Sequence, residues 1–300
     1  MDDILLRRDL LGLGVTDDDI RRFLRSGRWT ELRPGAYLEA GDPRRRYATT
    51  LHRALVGATL PLLGAGAVVS GVSAAVLHGL PVWGVDLSRV QVTRDRGSGG
   101  RGGRRLVLRV GPLPDDDVVV VDGVATTSPA RTVVDVARTV PFEAAVVVAD
   151  AALHRHLTTR EQLDAAVYDA CGRHGIGRAR AVVAFADPRP DGPGESRSRV
   201  RMQELHVVRP VLQHPVTDRD GRAIGTVDFW WPGHGLIGEF DGLEKYGRSR
   251  RPGESPGDVV VREKRREDAL RARPGVTGVV RWTWAEVADF AAVAARLPRR

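Results

Sequence analysis

Lysine is almost missing from this 300-residue chain: of 46 basic side chains all but two are arginine, the exceptions being Lys245 and Lys264. A guanidinium is planar and stays protonated, whereas an ammonium is a compact charge whose pKa can be moved. A position that keeps lysine against so strong an arginine bias is a candidate for chemistry that needs an ammonium. Two residues are also few enough to be left by chance. Cysteine is reduced to Cys171, which excludes an intrachain disulfide and favours a reducing compartment. The first residues, Met1-Asp-Asp-Ile-Leu-Leu-Arg-Arg, carry acids where a secretory signal carries bases, so a cytoplasmic location is expected.

Charge is missing from one long run. Ala54 to Val85 holds no Asp, Glu, Lys or Arg and is long enough to cross a bilayer. Pro61 and Gly57, Gly64, Gly66, Gly71 and Gly79 interrupt it, and Ser70 is a good N-cap for a fresh helix. Two buried helices joined by a glycine-rich turn are expected there, and no membrane span.

What is present is ordinary for a globular protein, with 42% apolar and 28% charged residues. The length suits two or three domains. Of the net charge of +8, residues 192–300 carry +5, from 20 basic and 15 acidic side chains. That excess favours a polyanionic partner, though an arginine-rich composition raises pI by itself.

The first forty residues pattern as helix, helix, hairpin. Ile4 to Leu11 reads as one helix; Thr16 caps a second, with Asp17, Asp18 and Asp19 in its first turn and Arg21, Arg22 and Arg25 beyond. Trp29 to Leu38 alternates like two strands about Pro34-Gly35. This outline is that of a winged helix, and Arg21, Arg22 and Arg25 become candidate DNA contacts. The helix and the Arg33-Pro-Gly-Ala-Tyr37 hairpin resemble the N-terminal domain of AbiEi-type antitoxins, and Ser70-Gly-Val-Ser-Ala-Ala-Val-Leu-His-Gly-Leu80 resembles the middle part of the same proteins. A toxin partner is what that likeness implies.

Residues 45–190 read as a mixed α/β region. Strands are expected at Ser88–Arg94, Arg105–Val110 and Val118–Ala125, and helices at Ala130–Val140, Phe142–His154, Arg160–Cys171 and Arg178–Ala186. Gly97 to Arg105 lacks the Gly-Lys-Ser/Thr ending of a phosphate loop and reads as a hairpin loop. His78 reads as a core or cap histidine. Asp187 to Gly194 has the composition of a linker.

After it come helix Glu195–Val207, strands Val211–Val216, Ala223–Trp230 and Leu236–Asp241, helix Asp258–Arg273, strand Val276–Trp282 and helix Trp284–Arg296. Ile237, Glu239 and Asp241 share one face of their strand, and a hairpin through Pro232 to Gly235 brings Asp228 beside Glu239. Converging carboxylates make the hard-oxygen site that Mg²⁺ or Mn²⁺ prefers. The other reading of the same acids is an ion network in which Glu239 or Asp241 pairs with Arg281 or Lys264.

The run Glu195…Val227-Asp228-Phe229…Glu239-Phe-Asp241-Gly242…Lys245-Tyr246 resembles the PD-(D/E)XK nucleases, most closely their very-short-patch-repair-like branch, over about Glu195 to Ala288. The resemblance implies metal held by Glu195, Asp228 and Glu239, with Asp241 adjacent. Asp241 occupies the place where that pattern has lysine, so Lys245 or Lys264 would supply the ammonium to the catalytic pair Asp228 and Glu239. Arg262, Arg266 and Arg281 would meet backbone phosphates, and Trp230, Trp231, Trp282 and Trp284 would stack on bases or pack the core. The expected architecture is therefore mixed α/β: a winged helix over 1–44, an α/β middle over 45–190 and a restriction-endonuclease-like αβ domain over 191–300. Two functions follow: a metal-dependent DNA endonuclease, or an AbiEi-type regulator whose nuclease-like fold only binds.

Overall fold

The N-terminal residues set a three-stranded sheet against two short helices. The computed structural model describes residues 4–96, 99–218, 220–242 and 255–299. The expected helix over Ile4–Leu11 is replaced by a strand, β1 (Leu5–Leu6), and a helix, α1 (Arg7–Gly12). Leu5 and Leu6 pair antiparallel with Tyr37 and Ala36, so the chain enters extended and can coil only afterwards. Helix α2 (Asp17–Arg25) starts at a capping box in which Thr16 and Asp19 satisfy each other's backbone amides. Strands β2 (Trp29–Arg33) and β3 (Ala36–Glu39) form the hairpin, turning at Gly35 with φ 80°. Leu10, Ile20, Trp29 and Tyr37 close the core between helices and hairpin.

The charge-free run divides as its glycines dictate. It holds part of α3 (Ala48–Thr59), then β4 (Val68–Val69) and α4 (Gly71–Leu77), and among the described residues no helix is long and apolar enough to cross a membrane. Strands β5 (Val90–Arg94), β6 (Arg101–Gly102), β7 (Leu106–Val110), β8 (Val118–Val121) and β9 (Val124–Thr127) join β4 in a mixed six-stranded sheet of order β6-β7-β5-β4-β9-β8. The expected single strand Val118–Ala125 is a hairpin instead. Asp122 and Gly123 both take positive φ, 49° and 78°, the two-residue turn that matches the twist of paired strands. Helices α5 (Pro129–Ala137), α6 (Phe142–His154), α7 (Arg160–Asp169) and α8 (Ile176–Phe185) follow. His78 donates from Nε2 to the Thr127 carbonyl at 2.8 Å, and burial pushes its pKa down.

Residues 1–148 and 157–184 make one compact unit, and residues 149–156 and 185–300 make the other. Beyond the end of α6, the second contains α9 (Pro193–Glu204) and a four-stranded sheet of β10 (Val211–Thr217), β11 (Ala223–Trp231), β12 (Leu236–Asp241) and β13 (Gly278–Thr283), in that order. Its first three strands are antiparallel and β12–β13 is parallel, with α10 (Pro256–Arg271) between them in sequence. The expected closing helix breaks into α11 (Trp284–Ala288) and α12 (Ala291–Ala294). Phe229, Trp231, Phe240 and Trp282 fill the aromatic core. The Trp231 indole donates to the Val208 carbonyl at 2.6 Å and that of Trp282 to the Ser198 hydroxyl at 2.7 Å, so these tryptophans are packing residues with satisfied N–H groups. Asp150 and Arg199 are paired inside this unit at 2.6 Å, both buried, and burial raises the Asp150 carboxyl despite the guanidinium.

Candidate site: carboxylates held by arginine

Three elements carry acids around the point where β11 and β12 separate: Glu195 on α9, Asp228 on β11 and Glu239 on β12. Pairing between these strands runs from Trp231↔Leu236 to Phe229↔Gly238 and stops there. The Phe240 amide, turned away from a ladder partner on β11, donates at 2.8 Å to the Asp228 carboxylate. An aspartate at the fork thus replaces a backbone acceptor. Helix α9 reaches the same place because Gly194 has no side chain: a Cβ there would run into the Phe240 ring. That close approach delivers Glu195, whose carboxylate accepts from the Asp191 amide at 3.1 Å and from the Gln213 side-chain amide at 2.7 Å. The same Gln213 amide lies 3.4 Å from Asp228. Gln213 sits at φ 48°, a left-handed conformation that costs a non-glycine residue roughly 1–3 kcal/mol and that clusters at functional positions.

Glu239 is 5% exposed and both its carboxylate oxygens carry guanidinium groups. Arg266 donates to one at 2.7 Å; Arg281 donates to the other at 2.9 and 3.1 Å. Arg281 is the register partner of Glu239 across the parallel pair, so strand register alone brings them together. Burial works to lower the Arg281 pKa, but Glu239, Asp241 and Glu267 outweigh it and raise it. Arg266 comes from α10, also donates to the Thr226 carbonyl at 2.8 Å, and crosses β11 over Gly225, where a Cβ would stand 3.0 Å from its Nε.

The acids named from sequence, Glu195, Asp228 and Glu239, are thus all buried at the fork, and Asp241 is half-buried at the end of β12. The arginines Arg266 and Arg281 turn toward Glu239; Arg262 is half-buried on α10. Lys264 is exposed two residues before Arg266, about 200° round the helix from it. Lys245 lies outside the described residues. Gln213 was not anticipated: nothing in Val211-Leu-Gln-His-Pro215 separates a bridging amide from an ordinary strand residue. Among the described residues no group of three His, Cys, Asp or Glu is arranged to hold a metal ion. The donor types suit Mg²⁺, but at Glu239 two guanidinia already supply the positive charge, and a divalent ion fits only if Arg266 or Arg281 leaves.

On α2, Arg21 and Arg22 are bound to Asp18 and Asp19, while Arg7 takes Asp17 at 2.6 Å. Arg25 and Arg28 are exposed at the end of the helix and, among the described residues, have no carboxylate partner.

Residues 66–185 match the model of the AbiEi antitoxin C-terminal domain. Two proteins of Mycobacterium tuberculosis, uncharacterized protein MT2308 (strain CDC 1551 / Oshkosh) and uncharacterized protein Rv2248 (strain ATCC 25618 / H37Rv), are each 36% identical over 124 residues. The match takes in 41% of this chain and 45% of each relative, so the chain spans less than half the length of the curated relatives it matches. The crystal structure of the Rv2827c protein from Mycobacterium tuberculosis aligns over 71% of this chain and 83% of its own, with 16% identity and a TM-score of 0.39.

Proposed function

We propose that this chain is an AbiEi-type antitoxin-like regulator that binds DNA through its N-terminal helices and hairpin, with a cognate toxin as its functional counterpart. The observation that carries the reading is the match of residues 66–185 to the AbiEi antitoxin C-terminal domain. It is supported by the helix-helix-hairpin order ahead of that segment and by Arg25 and Arg28, which among the described residues have no carboxylate partner. Phosphate contacts of this kind fix register on a duplex without reading sequence. In the C-terminal unit the arginine-bound Glu239 acts as a structural ion network.

The test is binding of the purified chain to DNA from its own promoter region across a salt series. Salt-sensitive binding lost on Arg25→Glu/Arg28→Glu is expected; binding unchanged by that double substitution sinks the interface. A second reading, a metal-dependent endonuclease, draws on Glu195 and Asp228 joined through Gln213 at the fork of β11 and β12, with Glu239 on the adjacent strand. Mn²⁺-dependent nicking of plasmid DNA that disappears in Asp228→Ala and Glu239→Ala would favour it over the regulator.

A further inference from the structure

A cavity of about 600 Å³ opens in the first unit between the hairpin, α3 and the segment 85–88. Leu32 and Leu38 come to it from the hairpin, Leu51 and Leu55 from α3, and Leu87 from the segment before β5. His52 at its wall is already satisfied, by the Leu87 carbonyl at 2.7 Å and the Ser73 hydroxyl at 2.8 Å, so it asks for nothing from a ligand. The volume falls in the range of about 300–1,000 Å³ typical of pockets that enclose a small molecule.

The polar groups nearby are unbalanced. Arg105 lines the cavity; Arg33, behind the lining but close enough for its charge to feel that of Arg105, holds its guanidinium half-buried, with Nε fully buried and, among the described residues, without a hydrogen-bond partner. Among the described residues Arg33 makes one hydrogen bond, a long one of 3.4 Å to the Ala58 carbonyl. Burial, and then the like charge of Arg105, push the Arg33 pKa down. Among the described residues neither guanidinium has a carboxylate partner. The other charged residues of the lining are directed elsewhere: Asp86 accepts from the Ser88 amide at 2.8 Å and lies 3.6 Å from Arg89, Arg45 donates to the Ala40 carbonyl at 2.5 Å, and Glu31 is exposed. Two adjacent, partly desolvated cations beside an apolar cavity lack one component, an anion.

We propose that this cavity binds a small amphipathic anion, its apolar body among the leucines and its carboxylate or phosphate head against Arg105 and Arg33. Such a ligand would bridge β2 and α3 and tie the hairpin to the six-stranded sheet. Its binding requires no DNA, so it stands or falls apart from the regulator reading.

The probe is 8-anilinonaphthalene-1-sulfonate, itself an amphipathic anion, titrated into the full chain by fluorescence. Saturable single-site binding is expected, displaced by dodecanoate or dodecyl phosphate, whichever is stronger identifying the head group. Dodecylammonium, with the same tail and opposite charge, should compete at least tenfold less well. Arg105→Gln and Arg33→Gln should each weaken the anions about tenfold, the loss of one charge-assisted contact. Leu55→Trp should abolish binding by filling the cavity, with the circular dichroism spectrum confirming the fold. Equal competition by dodecylammonium overturns the proposal, as does probe binding that neither arginine substitution weakens.

Discussion

Glu239→Ala gives opposite signs for the two ways of building the fork, and stability alone can read them. In the structure Glu239 is the shared acceptor of Arg266 and Arg281, whose side chains are 23% and 31% exposed. Removing it leaves two partly desolvated cations with only weaker counter-charges, Glu263 at 3.5 Å from Arg266 and Glu267 at 3.3 Å from Arg281. Breaking a buried pair costs about 3–5 kcal/mol, and the residual hydration of both guanidinia argues for the lower end, about 3 kcal/mol. At roughly 2–4 °C per kcal/mol for a unit of this size, the melting midpoint of the second unit should fall by about 6–12 °C. A site that waits for a divalent ion behaves the other way. Its carboxylates repel one another while the metal is absent, so deleting one relieves repulsion. The assay is differential scanning calorimetry in EDTA, with Arg266→Ala and the double variant completing a cycle; a coupling of about 1–3 kcal/mol is expected between the two positions. An unchanged or raised midpoint for Glu239→Ala would refute the ion-network account and restore the metal reading.

Three further outcomes follow from named contacts. Gly194→Ala places a methyl group in the Phe240 ring and should destabilise the second unit by about 3 kcal/mol or more, read by thermal unfolding; a loss below about 1 kcal/mol would show that α9 does not press on β12. The Asp187 carboxyl is held below its ordinary range: burial raises it, but the side-chain and backbone bonds from Arg189 outweigh that. A depressed folded value stabilises above the unfolded pKa, about 3.9, and that contribution is lost as pH falls through the folded value. Asp187→Asn should therefore lower stability at pH 7 and leave it unchanged once pH has fallen below the folded value, and a deficit that persists in acid would rule out this linkage. If Arg25 and Arg28 each meet a phosphate, replacing both should reduce the slope of log affinity against log salt by about 2, whereas a slope that stays put removes them from the interface.

Much of the fold could be read from periodicity because neighbouring residues differ. Phe142–His154 and Leu236–Asp241 stand at the expected bounds, each bracketed by residues that stop its pattern. Val118–Val121 and Val124–Thr127 were hidden by sameness: a run of valine swamps the Asp122-Gly123 turn that divides it. At the N-terminus the helical pattern of Ile4–Leu11 was real, but β3 supplied Leu5 and Leu6 with strand partners that local sequence does not announce. Tertiary pairing overrides propensity most easily at such short termini.

Of the two rare lysines only Lys264 lies among the described residues, and the described cations at the fork are arginines. Contrast makes Lys264 visible, yet it faces outward on α10, while Arg266 two positions on donates to Glu239. One arginine among 44 offers no contrast, so its role depends on geometry: the register that sets Arg281 opposite Glu239, and the bare Gly225 that lets Arg266 across β11. The chemistry then favours guanidinium over ammonium. Arg281 spreads planar donors over two acceptors, Nε and Nη2 on Glu239 and Nη1 toward the Glu267 carboxylate 3.3 Å away, whereas Arg266 reaches Glu239 and the Thr226 carbonyl through Nη2 alone. Lysine at position 281 would keep the charge and lose that forked geometry. Arg281→Lys should therefore behave closer to Arg281→Ala than to the parent in a Glu239–Arg281 coupling cycle, and a fully retained coupling would mean that charge alone holds the fork.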